Sequence, residues 1–500
     1  MSEKLNQLKE LLGEVSDLGK AASVLGWDQQ VNMPIMGGEA RGQQLATLSK
    51  IAQEKFTSDE VGKLLEDLKK EFAGADLNTD DAAVIRVAAR NYDKSKRVPP
   101  EFVAEQAIVS SKAFEAWVEA RAKSDFSIFR PHLEKVVELV QKYISFFPPA
   151  DHPYDTLLDD YEPGMKTEDV KAIFNALRPK QVALIKAISS SKQVKDDFLF
   201  KKYNEAKLLS FGEQIITQFG YDWRRGRQDK APHPFETTFS VNDVRITTRY
   251  EADNPLAMLF STMHESGHAM YEQGINPAYE RTSLAGGTSL AIHESQSRMW
   301  ENLVGRSLPF WEHFFPRAQQ VFPTALADVA LADFHFAIND VRPSLIRVEA
   351  DEATYNLHIL IRFELEQVLL TGDLPVTDLP DAWRTKYREL LGIEPPDAAS
   401  GVLQDIHWSA GLFGYFPTYS LGNLYAAQLF AAADRELGGL ADLFRRGEFT
   451  PLRTWLREKI HAPGQRYSAS ELARRATGES LSHAALVSQL RTRLAPLYGL

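Results

Sequence analysis

Apolar positions along this chain recur at three- and four-residue intervals far more often than at two, so the pattern predicts helices nearly throughout. Leu5, Leu8, Leu11, Leu12 and Val15 follow that spacing, and so do Leu45, Leu48, Ile51 and Ala52, with a break at Trp27–Gly38 between them. Helices are predicted over 80–95 and 101–124, separated by Val98-Pro99-Pro100, and over 131–147, stopped by Pro148-Pro149. Tyr154–Met165 reads as an acidic loop or short helix. Thr167 is the expected cap of the next helix, and two more run to about Phe219. Between Tyr221 and Tyr250 the pattern changes. FETTFSVNDVRITTRY alternates and is rich in Thr, Val and Ile, which predicts a β-ribbon turning at Asn242-Asp243. Helical spacing then returns over 254–274, 288–305, 308–340, 343–371, 378–392, 419–437, 451–460 and 468–497. The fold class expected is all-α, with one small β-ribbon. With no repeat, low-complexity run or long linker, 1–500 is expected as one large helical unit, within which about 1–100 would form a movable helical lid.

The segment Asn254–Gly274, NPLAMLFSTMHESGHAMYEQG, carries the clearest helix signature. Asn254 suits the cap, Pro255 the first turn, and Gly274 the left-handed residue past the end. Inside it lies His264-Glu265-Ser266-Gly267-His268, an H-E-x-x-H pattern. Residues four apart share a helix face, so both imidazoles can aim at one point. Two imidazoles and one carboxylate form a three-donor zinc set with one position open. Glu265 sits about 100° around the helix from His264, where it can serve as general base. With 12 histidines in 500 residues, chance supplies roughly a few hundredths of such a match, and ionisable groups on an apolar helix are costly unless used. The longer pattern with a third histidine is absent, because position 274 is Gly and 271 is Tyr. A carboxylate on a following helix is therefore the expected third donor. Glu294 is the first candidate, with Glu272, Glu280 and Glu301 as rivals. His293 points about 100° away from Glu294 and reads as a supporting or packing residue.

Composition narrows the partners. Hydrophobic residues make up 44% and charged residues 25%, ordinary for a globular chain with a sizeable core. The net charge of −11 argues against nucleic acid as a partner. No apolar run approaches membrane-spanning length. There is no cysteine, hence no thiol nucleophile and no cysteine-held zinc. The first residues, MSEKLNQLKELLGEV, lack the apolar core of a secretory signal, so the expected location is cytoplasmic.

HESGH followed by IHESQSRMWEN resembles the carboxypeptidase Taq family of metallocarboxypeptidases. The resemblance extends to His233-Pro234-Phe235, to Asp243-Val244-Arg245-Ile246-Thr247, and to Ile346-Arg347 with Ala350-Asp351-Glu352, Thr354-Tyr355 and His358. It continues at Gly401, Gln404, Asp405, His407 and Trp408, so it spans roughly 154–428. Glu236 after His-Pro-Phe departs from the small or hydroxyl residue expected there. The resemblance implies a metal-dependent carboxypeptidase that releases single C-terminal residues from peptides with a free C-terminal carboxylate, with a deep substrate groove, 220–430 as the catalytic core and the β-ribbon near the active site. It assigns the metal to His264, His268 and Glu294 and the general base to Glu265. The metal expected is Zn2+, with Co2+ or Mn2+ also compatible with these donors. Arg347 first and Arg245 second become candidates for clamping the terminal carboxylate, since a guanidinium pairs with it bidentately. His233 and Gln404 become further substrate-binding candidates. Similarity to related α-helical zinc peptidases makes His407 and Tyr419 the oxyanion donors, with Tyr415 as alternate. The resemblance also implies a homodimer. Two other readings remain compatible with the residues: a metal-dependent oligopeptidase or endopeptidase on the same scaffold, and a non-catalytic helical module with a structural metal.

Overall fold

The computed structural model describes residues 2–76, 78–192 and 194–500. Helices carry the fold, and the one sheet among the described residues has three strands. The chain gathers into two compact units, each assembled from separated segments. The first comprises Met1–Lys96, Lys195–Ile338 and Ala426–Ser480, and the second Arg97–Val194, Asn339–Tyr425 and Leu481–Leu500.

In the first unit, the helix expected to break at Trp27 runs on through Glu3–Val31. Leu5, Leu8 and Leu12 from it join Val61, Leu65 and Leu68, then Ala83, Val84 and Ala88, in one buried cluster. Val241, Ile275, Tyr279 and Leu284 belong to the same cluster. The segments expected as a lid thus share their apolar core with residues that flank the H-E-x-x-H helix. The expected ribbon is present as β2 (Glu236–Ser240) and β3 (Asp243–Thr248), paired antiparallel, after a short β1 (Gln228–Lys230). β1 pairs with β3 in parallel, giving the order β1-β3-β2, and it was missed in the sequence because three polar residues carry no strand pattern. Val244, Ile246 and Thr248 turn inward from β3. The sheet is tied to the H-E-x-x-H helix by side-chain hydroxyls: Gln228 donates to Thr262 Oγ1 at 3.0 Å, and Thr262 to Thr248 Oγ1 at 3.2 Å.

The H-E-x-x-H helix spans Ala257–Gly274, and its ends differ from expectation. Asn254 gives its backbone carbonyl, not its side chain, to Ala257 N, so a tight turn leads into the helix where a side-chain cap was expected. Gly274 is the last helical residue, not a left-handed cap. It is small because a Cβ there would lie 2.5 Å from His461 Nδ1. Gly267 answers a stricter need. A Cβ at 267 would lie 2.5 Å from Gln296 O and 2.7 Å from Ser297 Cα, both backbone atoms of the next helix, Leu290–Arg298. Two helix backbones pass in contact at this point. Beyond Arg298 the chain continues as a π-helical turn, Met299–Val304.

In the second unit, the acidic segment is the short helix Tyr154–Tyr161. Its Asp155 caps the next helix: Oδ1 accepts from Thr167 N at 2.7 Å and from Thr167 Oγ1 at 2.6 Å. Thr167, expected as the cap, is instead the first helical residue. The long helix expected over 343–371 begins only at Glu352, where Asp351 accepts from Ala353 N and Thr354 N. The helix expected over 308–340 lies in the first unit and breaks into Leu308–Val321, Pro323–Leu326 and Leu331–Ala337, with Pro323 unable to continue the first.

The contact at Gly267 predicts opposite outcomes for two glycine-to-alanine changes. Gly267→Ala should lower unfolding free energy by about 1–3 kcal/mol through overpacking against backbone. Gly19→Ala, on a helix face with nothing within 4 Å of the added methyl, should raise it by up to about 1 kcal/mol. Urea unfolding of both variants measures this, and a Gly267→Ala protein as stable as the parent would show that the crossing has room to spare.

Candidate active site

His264 and His268 project from one face of a helix whose residues are almost all buried. Their Nε2 atoms both face Glu294 Oε2, at 3.7 Å and 3.5 Å. The three donor atoms lie within 4.8 Å of one another, the one such group of His, Cys, Asp or Glu among the described residues. Glu294 reaches them because the helix Leu290–Arg298, started by Ser289 Oγ accepting from Ile292 N, crosses at Gly267.

Each donor is held from behind. His264 Nδ1 lies 2.8 Å from Glu301 Oε2, on the π-helical turn. His268 Nδ1 lies 2.6 Å from His293 Nδ1, and His293 Nε2 lies 3.0 Å from Glu272 Oε1. Arg298 Nε donates to Glu294 Oε1 at 2.7 Å, and Ser297 Oγ donates to Oε2 at 3.1 Å. The three rivals for third donor are thereby sorted. Glu301 and Glu272 stand behind the histidines, and Glu280 accepts from Val241 N at the ribbon turn. The set fits a divalent cation: two imidazoles and a carboxylate converge, with their other polar atoms engaged elsewhere.

The electrostatics agree. Burial works against the charge on Glu294, yet Arg298, His264 and His268 hold its carboxyl well below the usual range. Burial likewise opposes the charge on Glu301, but Arg298 and His264 bring it down to about 2. Burial lowers His268 to about 3, keeping it neutral, while Glu294 and Glu301 outweigh burial at His264 and favour its proton. Glu265 behaves differently. Burial pushes it up to about 7, with Glu236 and Glu294 adding to the rise and His264 opposing it. A carboxyl near neutrality can both take and return a proton at ordinary pH. Glu236, the residue that departs from the family pattern, is also pushed up to about 7 by burial and by Glu272. Of the other first-unit candidates, Arg245 places Nε and Nη2 on Asp243 at 2.8 Å each and stacks between Trp27 and Phe239, so its fork already holds a carboxylate. His233 is exposed in the segment before β2.

The second unit gathers the remaining candidates. Arg347 is 5% exposed, donates to Asp405 Oδ1 at 2.9 Å and to the Tyr355 hydroxyl at 3.0 Å, and lies over the Tyr419 ring. Arg362, fully buried, pairs with the other oxygen of Asp405 at 2.7 Å. Gln404 differs from its expected part. Its Oε1 accepts from Arg347 N and Arg362 Nη2, and its Nε2 is shared among Leu345 O, Tyr387 and Ser400 O, so the amide braces the protein and has nothing left for a peptide. His407 Nε2 lies 3.2 Å from the Tyr419 hydroxyl, while its buried Nδ1 has no hydrogen-bond partner. Burial, with Arg347 adding, lowers His407 to about 3, so the ring is neutral. Tyr415 packs edge-on against Tyr161 and Tyr419. One anchor was missed in the sequence. Buried Glu366 accepts from Tyr154 Oη at 2.6 Å, Trp408 Nε1 at 2.9 Å and Gly414 N at 3.1 Å, fixing both ends of the 408–414 loop. Its position inside an apolar helix was the available signal.

Comparisons with known proteins cover nearly the whole length of the chain. The model of the family described as Carboxypeptidase Taq (M32) metallopeptidase matches residues 7–494. The chain belongs to that family. It is 44% identical to thermostable carboxypeptidase 1 of Thermus thermophilus, covering 98% of each chain, and 39% identical to carboxypeptidase 1 of Bacillus subtilis, covering 98% and 97%. The crystal structure of the carboxypeptidase of this family from Deinococcus radiodurans superposes with a TM-score of 0.97 at 40% identity, covering 100% of each chain. Among the described residues, no helix is long and apolar enough to cross a membrane.

Glu366 makes a pH prediction. Burial outweighs its three donors and raises it from the ordinary 4.5 to about 7. A carboxyl raised in the folded state binds more protons folded than unfolded, so its contribution to stability is complete below about 4.5 and is lost as pH rises to about 7. At ~1.4 kcal/mol per unit the loss is on the order of 3 kcal/mol. Across that window the unfolding free energy of the parent should fall relative to Glu366→Gln, then run parallel above it. Parallel curves throughout would mean that Glu366 is ionised in the fold.

Proposed function

We propose that His264, His268 and Glu294 hold a catalytic zinc ion in this metallocarboxypeptidase, and that Glu265 is its general base. The observation that carries the reading is the convergence of the three donor atoms, with the buried carboxyl of Glu265 next to one of them in sequence. A divalent cation held there supplies Lewis acidity to the scissile carbonyl and to a water molecule. Glu265 takes the proton of that water and returns it to the departing amine, which asks for a group that exchanges protons near pH 7. Arg298 and Glu301 keep Glu294 and His264 in register through the hydrogen bonds they make to them.

The terminal carboxylate is assigned to Arg347. Arg347 and Arg362 share the single carboxylate of Asp405, which leaves their cluster one positive charge in surplus, whereas Arg245 is neutralised by an acid of its own. A buried surplus cation is costly until an anion joins it. His407 and Tyr419 are assigned to the developing oxyanion, as neutral hydrogen-bond donors.

An N-blocked decapeptide, offered as the free acid and as the C-terminal amide, with and without chelator, tests the reading by product mass. Stepwise loss of C-terminal residues from the free acid alone, abolished by chelator, is expected. Internal cuts in both peptides would replace it with an endopeptidase. Glu265→Gln should keep a full complement of zinc and lose roughly 10²–10⁴-fold in kcat. Turnover comparable to the parent would remove Glu265 from the proton transfers.

A further inference from the structure

The two histidine donors are supported unequally. His264 has a carboxylate directly behind it, Glu301 at 2.8 Å. His268 has another imidazole, at 2.6 Å between the two Nδ1 atoms. Protons can be assigned along this second path. If His268 uses Nε2 as a donor to a cation, its ring is neutral and the proton sits on Nδ1. That proton must be donated, so His293 Nδ1 accepts it. A neutral imidazole that accepts at Nδ1 carries its own proton on Nε2, and His293 Nε2 lies 3.0 Å from Glu272 Oε1. Glu272 is 6% exposed, and Oε1 also accepts from Gly287 N at 3.1 Å. The path therefore ends on a buried carboxylate with a second donor in place.

The middle ring is held on several sides. It tilts 35° to His268 at a centroid distance of 4.7 Å, and Tyr271 packs against it at 5.1 Å. A Cβ at Gly287 would lie 2.8 Å from His293 Cδ2 and 2.9 Å from the Tyr271 ring, so the chain closes over both rings where it lacks a side chain. That much construction is more than filling a core position with an imidazole would need.

We propose that His293 is a positioning residue: it passes the hydrogen-bonding demand of Glu272 to His268, fixing the tautomer and ring orientation that leave His268 Nε2 for the metal. The proposal rests on His264, His268 and Glu294 being the metal donors. It gives the two histidines different routes to one end, a direct carboxylate for His264 and a carboxylate one imidazole removed for His268.

Zinc affinity of the full-length apo-protein, measured by competition with a chromophoric chelator, tests it apart from activity. His293→Ala should weaken zinc binding 10–100-fold. Glu272→Gln should weaken it in the same direction. His293→Gln should recover most of the affinity, because an amide can accept from His268 with its oxygen and donate to Glu272 with its nitrogen. The melting temperature of each metal-free variant reports folding separately. Should His293→Ala fail to fold, Glu272→Gln and His293→Gln decide between them. Parental affinity in Glu272→Gln, or a His293→Gln protein that folds and binds as weakly as a donor-lacking one, would overturn the relay. His268→Ala separates the two levels. If it binds zinc as tightly as the parent, the metal site itself is wrong. If it loses zinc while His293→Ala retains it, only the relay fails.

Discussion

The convergence of His264, His268 and Glu294 depends on a close helix crossing at Gly267. The backbone of Gln296 and Ser297 occupies the space that any side chain at 267 would need. Glu294 lies two residues before Gln296, on the helix that makes this approach, so the carboxylate reaches the histidines on a rigid element rather than on a loop. Because the two helices cannot separate without opening a buried seam, the donor distances follow from packing. Burial then turns the local chemistry into a closed system. With water scarce, each of the three donor side chains is held by a named partner: Arg298 for Glu294, Glu301 for His264, His293 for His268.

The π-helical turn Met299–Val304 belongs to the same construction. It begins directly after Arg298 and carries Glu301, whose carboxylate is engaged by His264 and by Arg298 at once. Wider helical turns are poorly packed for their own sake and recur at functional sites. Here the turn lets one short stretch of chain supply the third donor, the arginine that orients it and the acceptor behind His264.

What could be read in the sequence follows from which interactions are local. H-E-x-x-H is a statement about one helix face, so the convergence of His264 and His268 was legible from spacing alone, and the ribbon was legible from alternation. Spacing put Glu294 first but left Glu272, Glu280 and Glu301 as rivals, and the family resemblance alone singled it out; the crossing at Gly267 is what brings it to the imidazoles. Helix ends failed for the same reason. Thr167 looked like a cap, but the capping carboxylate comes from Asp155, twelve residues earlier. Gly274 looked like a left-handed terminus, but it is small to make room for His461. Gln404 stood in a recognisable motif, yet whether its amide faced a peptide or the protein depended on Leu345, Tyr387 and Arg362, which the sequence does not bring together.

Each unit, taken by itself, holds a buried cluster in which charged side chains crowd together. Around the donor set of the first unit, the acids Glu236, Glu265, Glu272, Glu294 and Glu301 face Arg298, Arg306, Lys20 and three imidazoles, and burial pushes Glu236 and Glu265 up to about 7. In the second unit, two guanidiniums divide one carboxylate, a balance that favours an anion. Two cations also divide one carboxylate nearer the surface, as Arg178 and Lys386 do at Glu364 and Arg224 and Arg225 at Asp222, whereas Arg245 and Asp243 pair one to one. What sets the Asp405 cluster apart is burial: Arg347, Arg362 and Asp405 are each under a tenth exposed, so two guanidiniums divide one carboxylate there without water to screen them.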